Sequence, residues 1–109
     1  MSKSLKLKYY GITFYLKVGA RELAHNVIQL YSKNTDYDEP FWEPFATLTK
    51  VTHYDKANQL IVDTNNCPYA EELIKKYKLG TDTGRISCAG YCTYPVYEFD
   101  FDKLKEYVL

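Results

Sequence analysis

The sequence predicts an α+β protein in which an antiparallel sheet of about four to five strands packs against one main helix. Short β-rich segments fill residues 11–63, and a segment with helical spacing follows at residues 68–79. The length of 109 residues and the 46% hydrophobic content are typical of one domain. We therefore expect residues 1–109 to form a single domain.

The clearest strand signal lies where Ile12, Phe14 and Leu16 alternate with Thr13 and Tyr15. This period of two is that of a half-buried strand, which we place at residues 12–18. Further β-rich runs lie at residues 27–31, 45–51 and 59–63. Together the runs predict an antiparallel meander. Residues 1–9 are a candidate flexible segment, and residues 21–26 fit either a turn or one helical turn.

The main helix is predicted at residues 68–79. Pro68 suits a first helical turn, and a set of apolar residues recurs at helical spacing. This set comprises Ala70, Leu73, Ile74 and Tyr77. Gly80 supplies a C-terminal stop, while Asp63 with Asn65 and Asn66 predicts local capping of backbone N–H groups before the helix.

The last third of the chain predicts a loop, a strand and a short helix. Glycine and threonine recur in residues 81–90, which is typical of a loop. Residues 91–99 favour a strand, at an edge or a bulge because Pro95 cannot donate a backbone hydrogen bond. A short C-terminal helix is expected after Asp100.

Composition excludes several function classes. The chain carries 14 basic and 14 acidic residues, which argues against duplex binding by electrostatics alone and against DNA mimicry. No apolar segment approaches the length of a membrane span, and the basic start lacks the apolar core of a signal peptide. Three cysteines fit a disulfide framework badly, so we expect a cytoplasmic protein without membrane contact.

Catalytic and metal motifs are missing from the sequence. Cys67 stands near a predicted helix start, where a thiol pKa falls, but neither His25 nor His53 has the local context of a base. Cys88 and Cys92 are too widely spaced for a zinc knuckle. We expect no cofactor, no metal and no enzymatic activity, with a thiol enzyme at Cys67 as the least favoured alternative.

Two sets of residues are candidates for binding. The first is an acidic and aromatic segment suited to a protein partner, with Tyr37, Phe41, Trp42 and Glu43. The second combines bases with rings, as single-stranded nucleic acid requires, in Lys6, Lys8, Tyr10 and Tyr15. The same rings and lysines also fit an ordinary sheet surface, because tyrosine suits half-buried strands.

Several blocks of the chain resemble a known family. They are Pro44-Phe-Ala-Thr-Leu-Thr49, Val62-Asp-Thr-Asn-Asn-Cys-Pro68, Leu79-Gly80 with Thr83-Gly-Arg85, and Gly90-Tyr-Cys-Thr-Tyr-Pro-Val-Tyr-Glu-Phe99. Across roughly residues 27–107 the chain resembles the domain of unknown function numbered 4313, found in phages, plasmids and conjugative elements of Gram-positive bacteria. Residues 34–42 and Thr52-His-Tyr-Asp55 depart from the family pattern, so specificity carried by these loops is expected to differ.

The resemblance implies a genomic setting and transfers no catalytic residues. It implies a small accessory protein of a mobile element, of a kind that often acts by binding, including inhibition of host defences. The leading hypothesis from the sequence is therefore a protein-binding accessory protein. A module for single-stranded nucleic acid is the alternative, and the oligomeric state is left open.

Overall fold

In the residues that the structure describes, the chain folds as an α+β structure of two four-stranded antiparallel sheets and three short helices. The computed structural model describes residues 3–34, 41–50 and 58–109. Its strands are β1 (Leu5–Tyr9), β2 (Ile12–Val18), β3 (Gln29–Asn34), β4 (Phe41–Thr47), β5 (Thr49–Lys50), β6 (Gln59–Val62), β7 (Gly80–Ala89) and β8 (Cys92–Phe99). Its helices are α1 (Ala20–Ala24), α2 (Ala70–Lys76) and α3 (Phe101–Lys105).

The first sheet has the strand order β1-β2-β3-β4. A two-residue turn at Tyr10 and Gly11, both with positive φ, joins β1 to β2 and has the geometry that favours a tight hairpin. Alternation in β2 confirms the predicted strand, with Leu16 and Val18 buried on the inner face. Residues 1–9 are a candidate flexible segment on sequence grounds, but Leu5–Tyr9 pairs with β2 throughout and Leu5 is fully buried.

The second sheet has the order β5-β6-β8-β7, so β8 lies between β6 and β7. Two extra residues on β7 form a bulge between Asp82 and Ile86. Gly84 within this bulge has a φ of +79°, a conformation that residues with a side chain rarely adopt. The Thr83 hydroxyl holds the bulge in place by donating to the Val96 carbonyl at 2.8 Å.

One hydrophobic core joins the inner faces of both sheets to α2 and α3. It includes Leu5 and Leu30 from the first sheet and Tyr97 and Phe99 from the second. α2 contacts both sheets, since the Tyr97 hydroxyl donates to Glu71 Oε2 at 2.6 Å and the Tyr77 hydroxyl accepts from the Lys6 backbone N–H at 2.7 Å. A smaller cluster of Ile61, Tyr94 and Val96 covers the other face of the second sheet.

The helices differ from the prediction of one main helix at residues 68–79. α2 has only seven residues, and α1 and α3 have five each. Pro68 belongs to the turn before α2. That turn is closed by the Asp63 carbonyl, which accepts from the Cys67 N–H at 2.8 Å, and by the Asp63 carboxylate, which accepts from the Asn66 N–H at 3.3 Å. The predicted local capping by Asp63 is thus confirmed, but it orders this turn and not the first turn of α2.

The prediction of one sheet with four to five strands is also wrong in number, because the described residues form eight strands in two sheets. Residues 81–90, predicted as a loop, lie almost entirely in β7. Its glycines are explained by the bulge at Gly84 and by the hairpin turn at Gly90, where φ is +62°. The short C-terminal helix is confirmed as α3, with the Asp100 carboxylate accepting from the Lys103 N–H at 3.0 Å.

Among the described residues, Pro95 lies where β8 has only one neighbouring strand. β6 pairs with β8 at Ile61 and Val96 but the pairing does not reach Pro95, whose partner on the other side is Ile86. The edge or bulged location predicted for Pro95 is therefore correct for this end of β8. In the described part of the chain, no helix has the length and apolar composition that crossing a membrane requires.

Candidate functional site

The outer face of the first sheet carries lysines and aromatic rings side by side. Strand alternation turns Leu5, Leu7 and Leu16 inward and their neighbours outward. We call the outward set the basic face, and it consists of Lys6, Lys8, Thr13, Tyr15, Lys17, Tyr31, Lys33 and Trp42. Four lysines therefore lie on three adjacent strands, with three rings among them.

The register places each of these rings directly opposite a lysine. Lys6 is opposite Tyr15, Lys17 is opposite Tyr31, and Lys33 is opposite Trp42. The Lys17 ammonium also lies over the Trp42 ring, 5.3 Å from its centroid, which is a cation–π distance. Residues directly opposite each other on one sheet face have neighbouring side chains, so each of the three rings lies beside a lysine side chain.

A shallow groove of about 600 Å³ runs across the middle of the basic face. Its lining includes Ser4, Thr13, Tyr15, Lys17, Lys33 and Trp42. Tyr15 is half exposed at 52%, and Lys6, Lys8 and Lys33 are exposed. The groove thus offers ring surface and ammonium groups to the same ligand.

Glu22 of α1 borders the basic face. The Tyr31 hydroxyl donates to Glu22 Oε2 at 2.5 Å, and this bond raises the pKa of Tyr31 while it lowers the pKa of Glu22. Tyr31 is therefore held by α1, whereas Tyr15 and Trp42 face the groove. Among the residues whose positions the structure gives, the face itself carries no acidic side chain.

The residues predicted for a protein partner lie on two sides of β4. Trp42 belongs to the basic face, whereas Phe41 is opposite Asn34 and Glu43 is opposite Ser32, both on the inner side. Tyr37 lies outside the described residues. Strand alternation separates residues that are neighbours in sequence, a separation that a loop assignment for residues 34–42 could not anticipate.

The residues predicted for nucleic acid come together more closely. Lys6, Lys8 and Tyr15 share the basic face, where sequence reasoning missed Lys33 and Trp42 as their neighbours. Lys33 follows Tyr31 by two positions, and this period of two was the signal that could have found it. Tyr10 is not on the face, because it lies in the β1–β2 turn with its ring against Tyr9 at 4.4 Å.

A second surface lies on the inner side of the first sheet, beyond the part that α2 covers. We call it the apolar end, and it consists of Tyr9, Tyr10, Ile12, Phe14, Phe41, Phe45 and Tyr69. Its rings form a chain, in which Tyr9 contacts Tyr69 at 5.0 Å and Phe45 contacts Phe14 at 4.9 Å. Ile12 and Phe41 are 58% and 44% exposed at its rim.

Cys67 is buried between the sheets, with its thiol 3.5 Å from the Thr47 carbonyl. Burial raises the pKa of the Cys67 thiol, which is opposite to the change that a nucleophilic thiolate needs. Cys88 is opposite Thr93 and Cys92 is opposite Ala89, so the two thiols point to opposite faces of their hairpin. Within residues 3–34, 41–50 and 58–109, no three histidine, cysteine or acidic residues come together as metal ligands would.

The comparison with known proteins gives one match. The family model described as a domain of unknown function, DUF4313, matches residues 15–109. This match confirms the family resemblance expected from the sequence. The matched residues begin within β2, so they include all later strands and leave out β1 and the first part of β2. No curated protein and no solved structure gives a match.

Proposed function

We propose, on the premise that the chain belongs to the DUF4313 family, that it is a non-enzymatic binding protein whose basic face holds single-stranded nucleic acid. The observation that carries this proposal is the pairing of lysines with rings across the four strands of the first sheet, together with the groove between them. In the setting that the family resemblance implies, the protein serves a mobile genetic element in the cytoplasm.

The chemistry of the face suits an unpaired strand better than a duplex. Exposed bases stack on aromatic side chains such as Tyr15 and Trp42, while Lys6, Lys8 and Lys33 contact the phosphates between them. A duplex hides the faces of its bases, so it would use only the lysines. Because the chain as a whole has no net charge, the local cluster must supply the attraction.

The first prediction concerns the binding of a fluorescent oligothymidylate, measured by anisotropy. The three phosphate contacts of Lys6, Lys8 and Lys33 predict that the logarithm of the association constant falls with the logarithm of salt concentration with a slope of about −2. Trp42→Ala should weaken binding by roughly 5- to 150-fold through lost stacking. Lys33→Gln and Lys6→Gln should each weaken binding and make the salt slope shallower.

Lys75→Gln is the matched control, because Lys75 is an exposed lysine on α2, far from the groove. It should bind like the unmodified protein, and a duplex of equal length should bind more weakly. The proposal fails if the protein does not bind the oligonucleotide at low salt, or if Lys75→Gln weakens binding as much as Lys33→Gln.

A second candidate function is capture of a protein partner, such as a component of host defence, by the apolar end. The exposed Phe41 and Ile12 beside partly buried rings favour it, because exposed apolar surface is typical of protein contacts. This candidate retains Phe41 from the sequence prediction and places Trp42 outside the contact.

The second prediction separates the two candidates by affinity capture from host lysate with and without nuclease. Capture through the apolar end should survive nuclease, should be lost in Phe41→Ala with Ile12→Ser, and should persist in Trp42→Ala. Loss of all captured protein on nuclease treatment would contradict this candidate and leave the basic face as the binding surface.

A further inference from the structure

β7 is the edge strand of the second sheet, and its second half lacks the protection that the other edges carry. On the basic edge strand β1, the Tyr77 hydroxyl covers the Lys6 backbone, and Lys8 adds another charge. β4 carries Pro44, and the described part of β5 has only two residues, one of which is the charged Lys50. Charge, proline and shortness are the usual means of blocking strand addition at an edge.

The segment Ile86–Ala89 has none of these features. It consists of Ile86, Ser87, Cys88 and Ala89, without charge and without proline. Its side chains are mostly exposed, with Ile86 at 64%, and among the described residues β7 has no strand neighbour other than β8. The turn residue Tyr91 is fully exposed at the tip of the same hairpin.

The hairpin geometry shows which backbone groups face outward. A two-residue turn separates Ala89 from Cys92, and the pair that closes such a turn exchanges both of its hydrogen bonds. The pairs then alternate, so Ile86 and Cys88 belong to pairs without mutual hydrogen bonds. Pro95, the partner of Ile86, has no N–H to donate, which agrees with this assignment.

The N–H and C=O groups of Ile86 and Cys88 therefore point away from β8, toward the open edge. We propose that this edge pairs with the same edge of a second copy of the chain, antiparallel about Ser87. Ile86 of each copy then lies opposite Cys88 of the other, and four backbone hydrogen bonds form between the copies. The two second sheets become one continuous eight-stranded sheet.

Self-pairing is favoured over pairing with an unrelated strand because the segment is its own complement. Donors and acceptors alternate identically on both copies, and the uncharged segment Ile86–Ala89 meets no charge repulsion from the same segment of its copy. The lysine-bearing edge of β1 would repel its copy. Pairing also covers Ile86, whose exposure on an unprotected edge otherwise favours aggregation.

The third prediction is measured by sedimentation equilibrium of the whole chain. The unmodified protein should be a dimer, and Ile86→Lys should be a monomer with an unchanged circular dichroism spectrum. Ile12→Lys is the matched control, since Ile12 is a comparably exposed isoleucine on a strand of the other sheet. It should remain a dimer.

A short bis-maleimide provides the second measurement, because the register brings Cys88 of the two copies close together. Cross-linked dimer should form in the unmodified protein and in Cys92→Ser, and should be lost in Cys88→Ser and in Ile86→Lys. A monomer at all concentrations overturns the proposal, as does a dimer that Ile86→Lys leaves intact. Nucleic-acid binding by the basic face is measured separately and does not depend on either result.

Discussion

Tyr97 shows how one side chain connects the helix and the second sheet. It is fully buried, and its hydroxyl reaches Glu71 Oε2 on α2. Burial and this hydrogen bond raise the pKa of the Tyr97 phenol above its ordinary value of 10.0, because ionisation would place a charge in the core beside a carboxylate. Burial raises the pKa of Tyr69 in the same way.

The fourth prediction is a loss of stability in alkali. Below pH 10 the phenol is protonated in both folded and unfolded chains, so the raised pKa has no effect on unfolding. Above pH 10 only the unfolded chain loses this proton, and the free energy of unfolding falls by up to about 1.4 kcal/mol per pH unit for each such group. Urea unfolding at several pH values measures the slope.

Tyr97→Phe should make this alkaline slope shallower. At neutral pH it should also lower the free energy of unfolding by about 1–3 kcal/mol, because Glu71 loses a buried donor. Tyr15→Phe, at an exposed tyrosine of the basic face, is the control and should behave like the unmodified protein. An equal alkaline slope in Tyr97→Phe and the unmodified protein would contradict the assignment.

At the scale of single elements, the C-terminus of α2 departs most clearly from the sequence prediction. Lys78 has a φ of +55° and occupies the left-handed position that usually belongs to glycine. The Leu79 N–H donates to the Ile74 carbonyl at 2.9 Å and the Lys78 N–H to the Lys75 carbonyl at 3.3 Å, which together form a Schellman motif. The helix therefore ends before Gly80.

Gly80 serves a different purpose. A Cβ on Gly80 would lie 2.9 Å from the Glu98 carbonyl oxygen, so glycine is needed for the close approach of β7 to β8. The sequence prediction assigned Gly80 to the end of the helix because of the backbone conformation that glycine allows there. In the structure, glycine is required at this position because β7 packs closely against β8.

The fifth prediction follows from the left-handed conformation of Lys78. Lys78→Gly should raise the free energy of unfolding by about 0.5–1 kcal/mol, because glycine adopts this conformation without the steric cost of a Cβ. Lys75→Gly, at an exposed position within the helix, should lower it by a similar amount. Thermal or urea unfolding measures both, and a loss of stability in Lys78→Gly would contradict the prediction.

The elements also show why some segments were predicted and others were not. β2 was predicted with its exact bounds because Leu16 and Val18 face a core while Tyr15 faces the groove, which produces a period of two. β7 has no buried side chain, so no alternation marks it, and its glycines resemble those of a loop. Backbone pairing alone makes it a strand.

At the scale of the whole molecule, the sequence predicted the α+β class but not the division into two sheets. α2 lies against both sheets, and its contacts, of Tyr77 with Lys6 and of Tyr97 with Glu71, join residues far apart in the chain, which local patterns do not reveal. Only part of the basic face was predicted from the sequence, for a related reason. Lys6 and Tyr15 form a local hairpin, whereas Lys33 and Trp42 join them only through the order of strands.

Val18, the last residue of β2, is hydrogen-bonded to the C-terminal residues, which has a consequence for how the chain folds as it is made. The Val18 N–H donates to the Tyr107 carbonyl and the Val18 carbonyl accepts from the Leu109 N–H, both at 2.8 Å. A ribosome produces the residues of the first sheet long before it produces these partners, or α2, which covers the inner face of that sheet. The apolar face of the N-terminal half therefore stays exposed to solvent until these later residues are made. Contacts of such long sequence separation also make folding slow.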